Sequence, residues 1–437
     1  MIEKDDGETA TEAANRKTSL HSWGLFTVLL RFHAFESLRY RDYRFLWYGQ
    51  VFAAMAQWMD EVTRGWLIYE LTSSAVQLGL VRGVQAIPIL LLSPLAGSAA
   101  DRYSRKTLVL WSQIVIGLQY AATALLIYTG WIRPWHLYIT AFLMAAAQTF
   151  LQPARAAIVA DAVPPSCLTN AIGLNSVVWN LARSTGPALA GVLIAALGTG
   201  NAYSVQAFFF FLATYWTVRL SSALSFSASA DGRPAHRELL SQSIIEGLKF
   251  SWRNEAVRTG LLTVTVVSFF IVPFRTLLPV FARDLLQVGA TGQGLLLTAM
   301  GIGAMSSGVL IMSAGDKLPR GKIMLGSVAV YGCILVIFAA SPWFHLSLVM
   351  MIIAGICNVL SHALVQTVIQ YHSPSEFRGR TMAIFNLSQV VMTAGSILIG
   401  TLSSLMGARW ASASMGTIGA LTVITVYIAL PRVRLIR

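Results

Sequence analysis

Twelve runs of about twenty or more mostly apolar residues leave this chain little choice of fold. They lie at roughly 45–69, 76–99, 107–129, 135–155, 169–197 and 201–220, then 258–281, 291–313, 321–340, 343–371, 380–406 and 408–430. A hydrocarbon layer about 30 Å thick takes about 20 residues of helix to cross. In lipid every backbone amide needs a partner within the chain, so such runs are helices, and the period-2 alternation of a membrane barrel is absent. Composition agrees. Of 437 residues 55% are apolar and only 12% charged, where an ordinary soluble domain carries about a quarter charged residues, and the mean hydropathy is +0.63.

The chain also repeats itself. Ser98 to Ser112 aligns without a gap on Ser313 to Ser327, with Asp101 on Asp316 and Arg105 on Arg320, and six of the fifteen positions are identical. A charged turn duplicated at an offset of 215 residues, each time between apolar helices, points to two related halves and to a transporter built from them. The expected fold is an all-α membrane protein with twelve transmembrane helices in two pseudo-symmetric six-helix bundles. The expected divisions are an N-terminal tail at 1–44, bundles at 45–220 and 258–430, a linker at 221–257 with an amphipathic helix near Glu238 to Lys249, and a C-terminal tail at 431–437. Residues 1–19 are polar and charged, without a signal-peptide core. The stretch from Leu20 to Leu38 reads either as a surface-lying segment or as a plain linker.

The net charge of +13 could suggest nucleic acid, but its distribution is that of a membrane topology. Of 32 Lys and Arg residues, 25 fall in the tails, the linker and the turns on that same side, and only Arg133, Arg283 and Arg409 fall on the other. Positive loops stay inside, so both termini and the linker are expected in the cytoplasm. The lipid bilayer is the surrounding partner, no nucleic acid is expected, and the carrier is expected to be a monomer. Cys167, Cys333 and Cys357 fit neither a zinc nor a disulfide spacing. No Walker loop, HExxH, GxSxG or paired CxxC occurs, so an enzyme, an ATP-driven pump, a metal and a cofactor are all unexpected.

Ionisable residues inside a span are costly and mark function by default. Span one holds Asp60, Glu61 and Arg64 beside Trp58, and the spacings of four and three allow one helical face to set both acids against one guanidinium. One carboxylate is then left over. A carboxyl in low dielectric exchanges its proton nearer to neutral pH, as a proton-coupled carrier requires. The alternative is a static charge network locking span one to Arg82 of span two. The 215-residue offset places Arg275 of span seven opposite Asp60, across a central cavity. Arg183 of span five could bind an anionic substrate or neutralise Asp60 or Glu61. Gly186, Pro187 and Gly191 in that span remove a hydrogen bond and thin the helix, so a bend and close packing are expected. Trp58, Trp66, Trp179 and Phe274 are candidates for the cavity wall, and His362 reads as a packed residue more than a relay.

With GSAADRYSRK between spans two and three, residues 40–430 resemble the major facilitator superfamily. Gly97, Asp101, Arg102, Arg105 and Lys106 match its turn signature, while Ser104 replaces the usual Gly or Asp. The resemblance implies a cytoplasmic gate in which Asp101 bridges to Arg378 or Arg380 at the start of span eleven, and Asp316, with Arg320 beside it, reaches toward span five. Span five resembles the family's antiporter motif at Gly173, Gly186, Pro187 and Gly191, with Ala182 and Ala190 in place of glycines, which implies export. The first spans are similar to the bacterial branch that includes the enterobactin exporter, which implies that the chain crosses the inner membrane of a bacterium. The function expected from all this is secondary, proton-coupled efflux of a small amphipathic or siderophore-like molecule by alternating access. An importer or lysolipid carrier, or a non-transporting scaffold or sensor, stands as the alternative.

Overall fold

The computed structural model describes residues 33–221, 240–314 and 319–429. A short 3-10 segment, His33–Arg39, precedes α1 (Arg41–Thr72), α2 (Ala75–Arg102), α3 (Arg105–Tyr128), α4 (Pro134–Asp161), α5 (Leu168–Leu197) and α6 (Thr199–Val218). After α7 (Leu240–Arg253) come α8 (Glu255–Leu285), α9 (Gly289–Ala314), α10 (Arg320–Ala340), α11 (Phe344–His372), α12 (Ser375–Met406) and α13 (Ala408–Ala429). Among the described residues, each of the twelve apolar runs falls on a long helix of its own. By length and apolarity α2, α3, α8, α10, α11, α12 and α13 can each cross a membrane, and α4 with α5 qualify as a pair bent by 118° between them. The acids and arginine inside α1 keep it below that apolarity.

Local chemistry sets the ends of these helices. Ser104, the departure from the family turn, caps α3 by accepting a hydrogen bond from the Thr107 amide at 3.3 Å. Asn254 caps α8 in the same way, accepting from the Val257 amide at 3.1 Å. The α5–α6 and α12–α13 corners turn on Gly198 and Gly407, both at φ +85° with ψ 164° and 156°. That region is open essentially to glycine alone, so the two halves make one corner twice.

Packing repeats in the same way. In the first half α1 packs on α5 and α6, α3 on α4 and α6, and α2 on α4. In the second half α8 packs on α12 and α13, α10 on α11 and α13, and α9 on α11. The halves meet through two equivalent pairs, α2 with α12 and α5 with α9. This pattern maps onto itself when the halves are exchanged, the signature of a pseudo-two-fold relation. Near that axis Tyr69 donates a hydrogen bond to the Asp284 carboxylate, and these residues are themselves related by the 215-residue offset.

Each bundle also carries a short preceding helix. Ser37 donates from its hydroxyl to Asn170 Oδ1 at 2.7 Å and to the Cys167 carbonyl at 3.1 Å, fixing the 3-10 segment to the start of α5. On α7, Phe250 stacks on Phe377 of α12 with ring centroids 4.6 Å apart. The 215-residue offset pairs Phe35 with Phe250, so the end of the stretch read from sequence as a surface segment or linker is part of the duplicated unit.

The halves touch at one end and part at the other. Far from the duplicated turns, a Cβ on Gly79 would meet the Ser396 carbonyl at 2.5 Å, one on Gly400 that of Ala75 at 2.6 Å, and one on Gly191 that of Ala290 at 2.6 Å. Small residues let these backbones touch, as membrane helices require. Toward the turns, Gly97, Gly173, Gly308 and Gly379 have nothing within 4 Å of a Cβ, and Ile87, Leu91 and Leu95 of α2 are exposed.

Candidate functional site

Successive residues on a helix point about 100° apart, and that rotation separates the two acids of α1. Asp60 turns toward α4. Arg64 donates to it from Nε at 2.9 Å and from Nη2 at 3.1 Å, and also to the Thr140 hydroxyl at 3.0 Å. Asp60 is 6% exposed and Arg64 4%. The sequence expectation of both acids against Arg64 is therefore corrected: Asp60 takes the guanidinium alone, in a closed pair packed against α4.

Glu61 points the other way. Its carboxylate accepts from Arg82 of α2 at 2.7 Å and from Arg275 of α8 at 3.4 Å. Arg275 thus meets Glu61 rather than Asp60, the residue opposite it by the repeat offset, a correction of one position on the helix. Arg275 is placed by an interruption of α8, where a π turn at Val267–Ile271 and a 3-10 turn at Val272–Leu277 surround Pro273. Such local unwinding in a membrane helix persists where it lines a cavity or is covered by protein.

Glu61, Arg82, Arg183 and Arg275 line one cavity of about 530 Å³ between the halves, with Trp58, Trp179, Asn358 and His362. Arg183 donates to Asn358 Oδ1 at 3.2 Å and lies over the Trp58 ring at 5.4 Å. Trp58 and Trp179 meet edge to face at 6.0 Å. Of the three tryptophans proposed for the wall, Trp58 and Trp179 are in it and Trp66 packs on the core, while Phe274 is buried among Tyr331 and Phe338. His362 lines the cavity with its ring against Phe385. An arginine at mid-membrane costs about 2.5–3.5 kcal/mol, so three of them lining one cavity with a single carboxylate is an arrangement that packing alone does not favour.

Gly186 and Gly191 serve close packing within one continuous α5. A Cβ on Gly186 would meet Trp58 Cβ at 2.9 Å, and Gly294 of α9 lies against the carbonyl of Pro187. At the turn end, Arg105 pairs with Asp161 at 2.6 Å, and Lys106 donates to the Leu220 carbonyl at 2.6 Å, tying α3 to α4 and to the end of α6. Arg380 pairs with Glu246 of α7 at 2.5 Å, Arg378 is exposed, and Arg320 lies over the Tyr371 ring. The side chains of Asp101 and Arg102, and all of Asp316, lie outside the described residues.

Three participants were not singled out from the sequence. Tyr69 and Asp284 join the halves at the closed end, and the repeat offset already placed them opposite one another. Arg155, counted among the topology charges, is 7% exposed and lines a second cavity of about 510 Å³ with Gln50, Gln152, Asn175 and Trp179. Among the described residues no group of three or more His, Cys, Asp and Glu side chains is placed to hold a metal.

Residues 32–436 match the family described as transmembrane secretion effectors. The chain belongs to that family of major facilitator transporters. Its relatives include the MFS-type transporter YfiS of Bacillus subtilis, 28% identical over 79% of this chain and 82% of that one. The staphyloferrin A transporter of Staphylococcus aureus is 25% identical over 81% and 87%, and the multidrug efflux pump Tap of Mycobacterium tuberculosis is 25% identical over 82% and 86%. A peptide-bound transporter of the POT family superposes with a TM-score of 0.71 at 12% identity, covering 90% of this chain and 96% of its own, which shows the shared fold. A secretion effector of this superfamily is a multi-pass membrane transporter and not an enzyme, and its substrate is a small molecule.

Proposed function

We propose that the chain is a proton-coupled exporter working by alternating access, with Glu61 as its coupling acid. The observation that carries this reading is the Glu61 carboxylate held between Arg82 and Arg275. It joins three helices and both halves, at the end of the cavity nearest their contact. Protonation cancels the charge that attracts Arg275 and removes one of the ties holding that end shut. Alternating access needs such a link between proton binding and the halves' relative position. Export is favoured by the antiporter-like sequence of α5 and by the efflux role in the name of Tap. The excess of positive charge at the turn end assigns that end to the cytoplasm, so the cavity described here faces inward. The gate pairs proposed from the turn motif, Asp101 with Arg378 or Arg380 and Asp316 with α5, belong to the opposite, outward-facing state.

Asp60 then serves as an internal anchor for Arg64, and coupling rests on its neighbour. Inverted vesicles carrying the full chain, energised to an acidic lumen, provide the test. Carboxyfluorescein or rhodamine 6G is added outside, and proton release from the lumen is followed by a pH-sensitive dye. Dye-induced proton release in the wild type and its loss in Glu61→Gln is the expected result. Unchanged release in that variant removes Glu61 from the coupling step.

A further inference from the structure

We infer that the substrate is an organic anion, received by a line of guanidinium groups that runs from the turn end to Glu61. This inference names the substrate class of the carrier proposed above and rests on that reading. The residues lining the two cavities include four arginines, Arg82, Arg155, Arg183 and Arg275, and one acid, Glu61. Glu61 is shared by Arg82 and Arg275. Arg183 has an amide and an indole face as its contacts, with no carboxylate within 4 Å among the described residues. Arg155 donates to the Leu46 carbonyl at 3.3 Å and likewise has no acidic partner there.

The surplus positive charge lies where a substrate must pass. Trp179 lines both cavities, so the outer one, with Arg155 in its wall, adjoins the inner one at that ring. The polar atoms of the inner lining that are buried without a partner are Trp58 Nε1 and Arg275 Nε, and both are donors. In the outer cavity the corresponding atom is Gln50 Oε1, on an amide whose oxygen and nitrogen can exchange places. A guanidinium offers paired N–H groups that match a carboxylate. A cation entering this site would meet like charge in a medium of low dielectric. Two tryptophans and some 530 Å³ of space suit an anion carried on an aromatic or amphipathic body rather than a bare inorganic ion.

The anion also has a competitor inside the protein. A substrate carboxylate that takes Arg275 displaces Glu61, so loading the cavity and loosening the tie between the halves become one event. This ordering requires no group beyond those already described.

The test uses the purified full chain in detergent and two dyes of similar size, carboxyfluorescein as the anion and rhodamine 6G as the cation, followed by fluorescence anisotropy. Carboxyfluorescein is expected to bind saturably and more tightly than rhodamine 6G in the wild type, a comparison that needs no variant. Arg183→Ala should weaken it about tenfold or more, as expected when a buried charge partner is lost. Arg183→Lys, which keeps the charge but loses the paired N–H groups, should weaken binding less than Arg183→Ala does, and Arg155→Ala should weaken binding as well. Tighter binding of rhodamine 6G, no binding of carboxyfluorescein, or indifference to both alanine variants overturns the inference. If rhodamine 6G evokes Glu61-dependent proton release while carboxyfluorescein does not bind, the anion inference falls and the carrier reading stands. If carboxyfluorescein binds through Arg183 yet neither dye moves protons in the wild type, the carrier reading falls and the anion site stands.

Discussion

Removing one partner of a buried ion pair strands the other in low dielectric, and Asp60 with Arg64 is such a pair, both more than nine-tenths buried. Arg64→Ala should therefore destabilise the detergent-solubilised protein by about 3–5 kcal/mol. Replacing both, as Asp60→Leu with Arg64→Met, should recover much of that loss, because no charge is left unpaired. Denaturant unfolding measures both variants, and an Arg64→Ala protein as stable as the wild type contradicts the pair's structural role. Glu61 differs from its neighbour in every physical respect that matters here. It is held from two helices other than its own and borders the cavity. Glu61→Gln should fold normally, since the amide oxygen still accepts from Arg82, while dye-driven proton flux is lost.

At the scale of elements, the corner glycines and the packing glycines make different predictions. Gly198 and Gly407 sit at φ +85° with open space where a methyl group would stand, so alanine there costs backbone strain alone, about 1–3 kcal/mol. Gly173, inside α5 with nothing within 4 Å, should gain about 0.5–1 kcal/mol on becoming alanine, since it gives up only the entropy of a helical glycine. Gly355 is a third kind. A Cβ there would meet the Met300 carbonyl at 2.0 Å, so Gly355→Ala must push α11 away from α9. Thermal unfolding of the four alanine variants should rank Gly173 above wild type and the other three below it. Gly198→Ala without any loss would contradict the shared corner geometry.

At the scale of the whole molecule, the two halves are held at the far end by few polar contacts. Tyr69 donates to Asp284, Arg283 donates to the Tyr69 carbonyl at 3.3 Å, and Glu61 reaches Arg275. Weakening them with Tyr69→Phe and Asp284→Asn should let that end open and the turn end close. Ser176 is exposed and lines the outer cavity, so Ser176→Cys in a background lacking the three native cysteines reports the change. Maleimide applied from the turn side should label it readily, and more slowly once the two far-end substitutions are added. An unchanged labelling rate would mean that these contacts do not set the balance between the two states.

The sequence by itself determined the solvent, the helices and the duplication. Lipid forces runs of about 20 apolar residues to satisfy their amides within one helix, and a 215-residue repeat of a charged turn already implies two like halves. It also narrowed the chemistry to a few interior charges, because each is costly enough to be rare. Tertiary structure decided which charges meet. Spacings of three and four residues allowed Arg64 to serve either acid, and only the packing around α1, with α4 beside Arg64 and with Arg82 of α2 and Arg275 of α8 beside Glu61, decided which acid it takes. The same holds for Arg155, which the linear count of charges placed among the topology residues. Burial beside a cavity depends on which helices surround a position, and that is a property of the assembled bundle rather than of the segment.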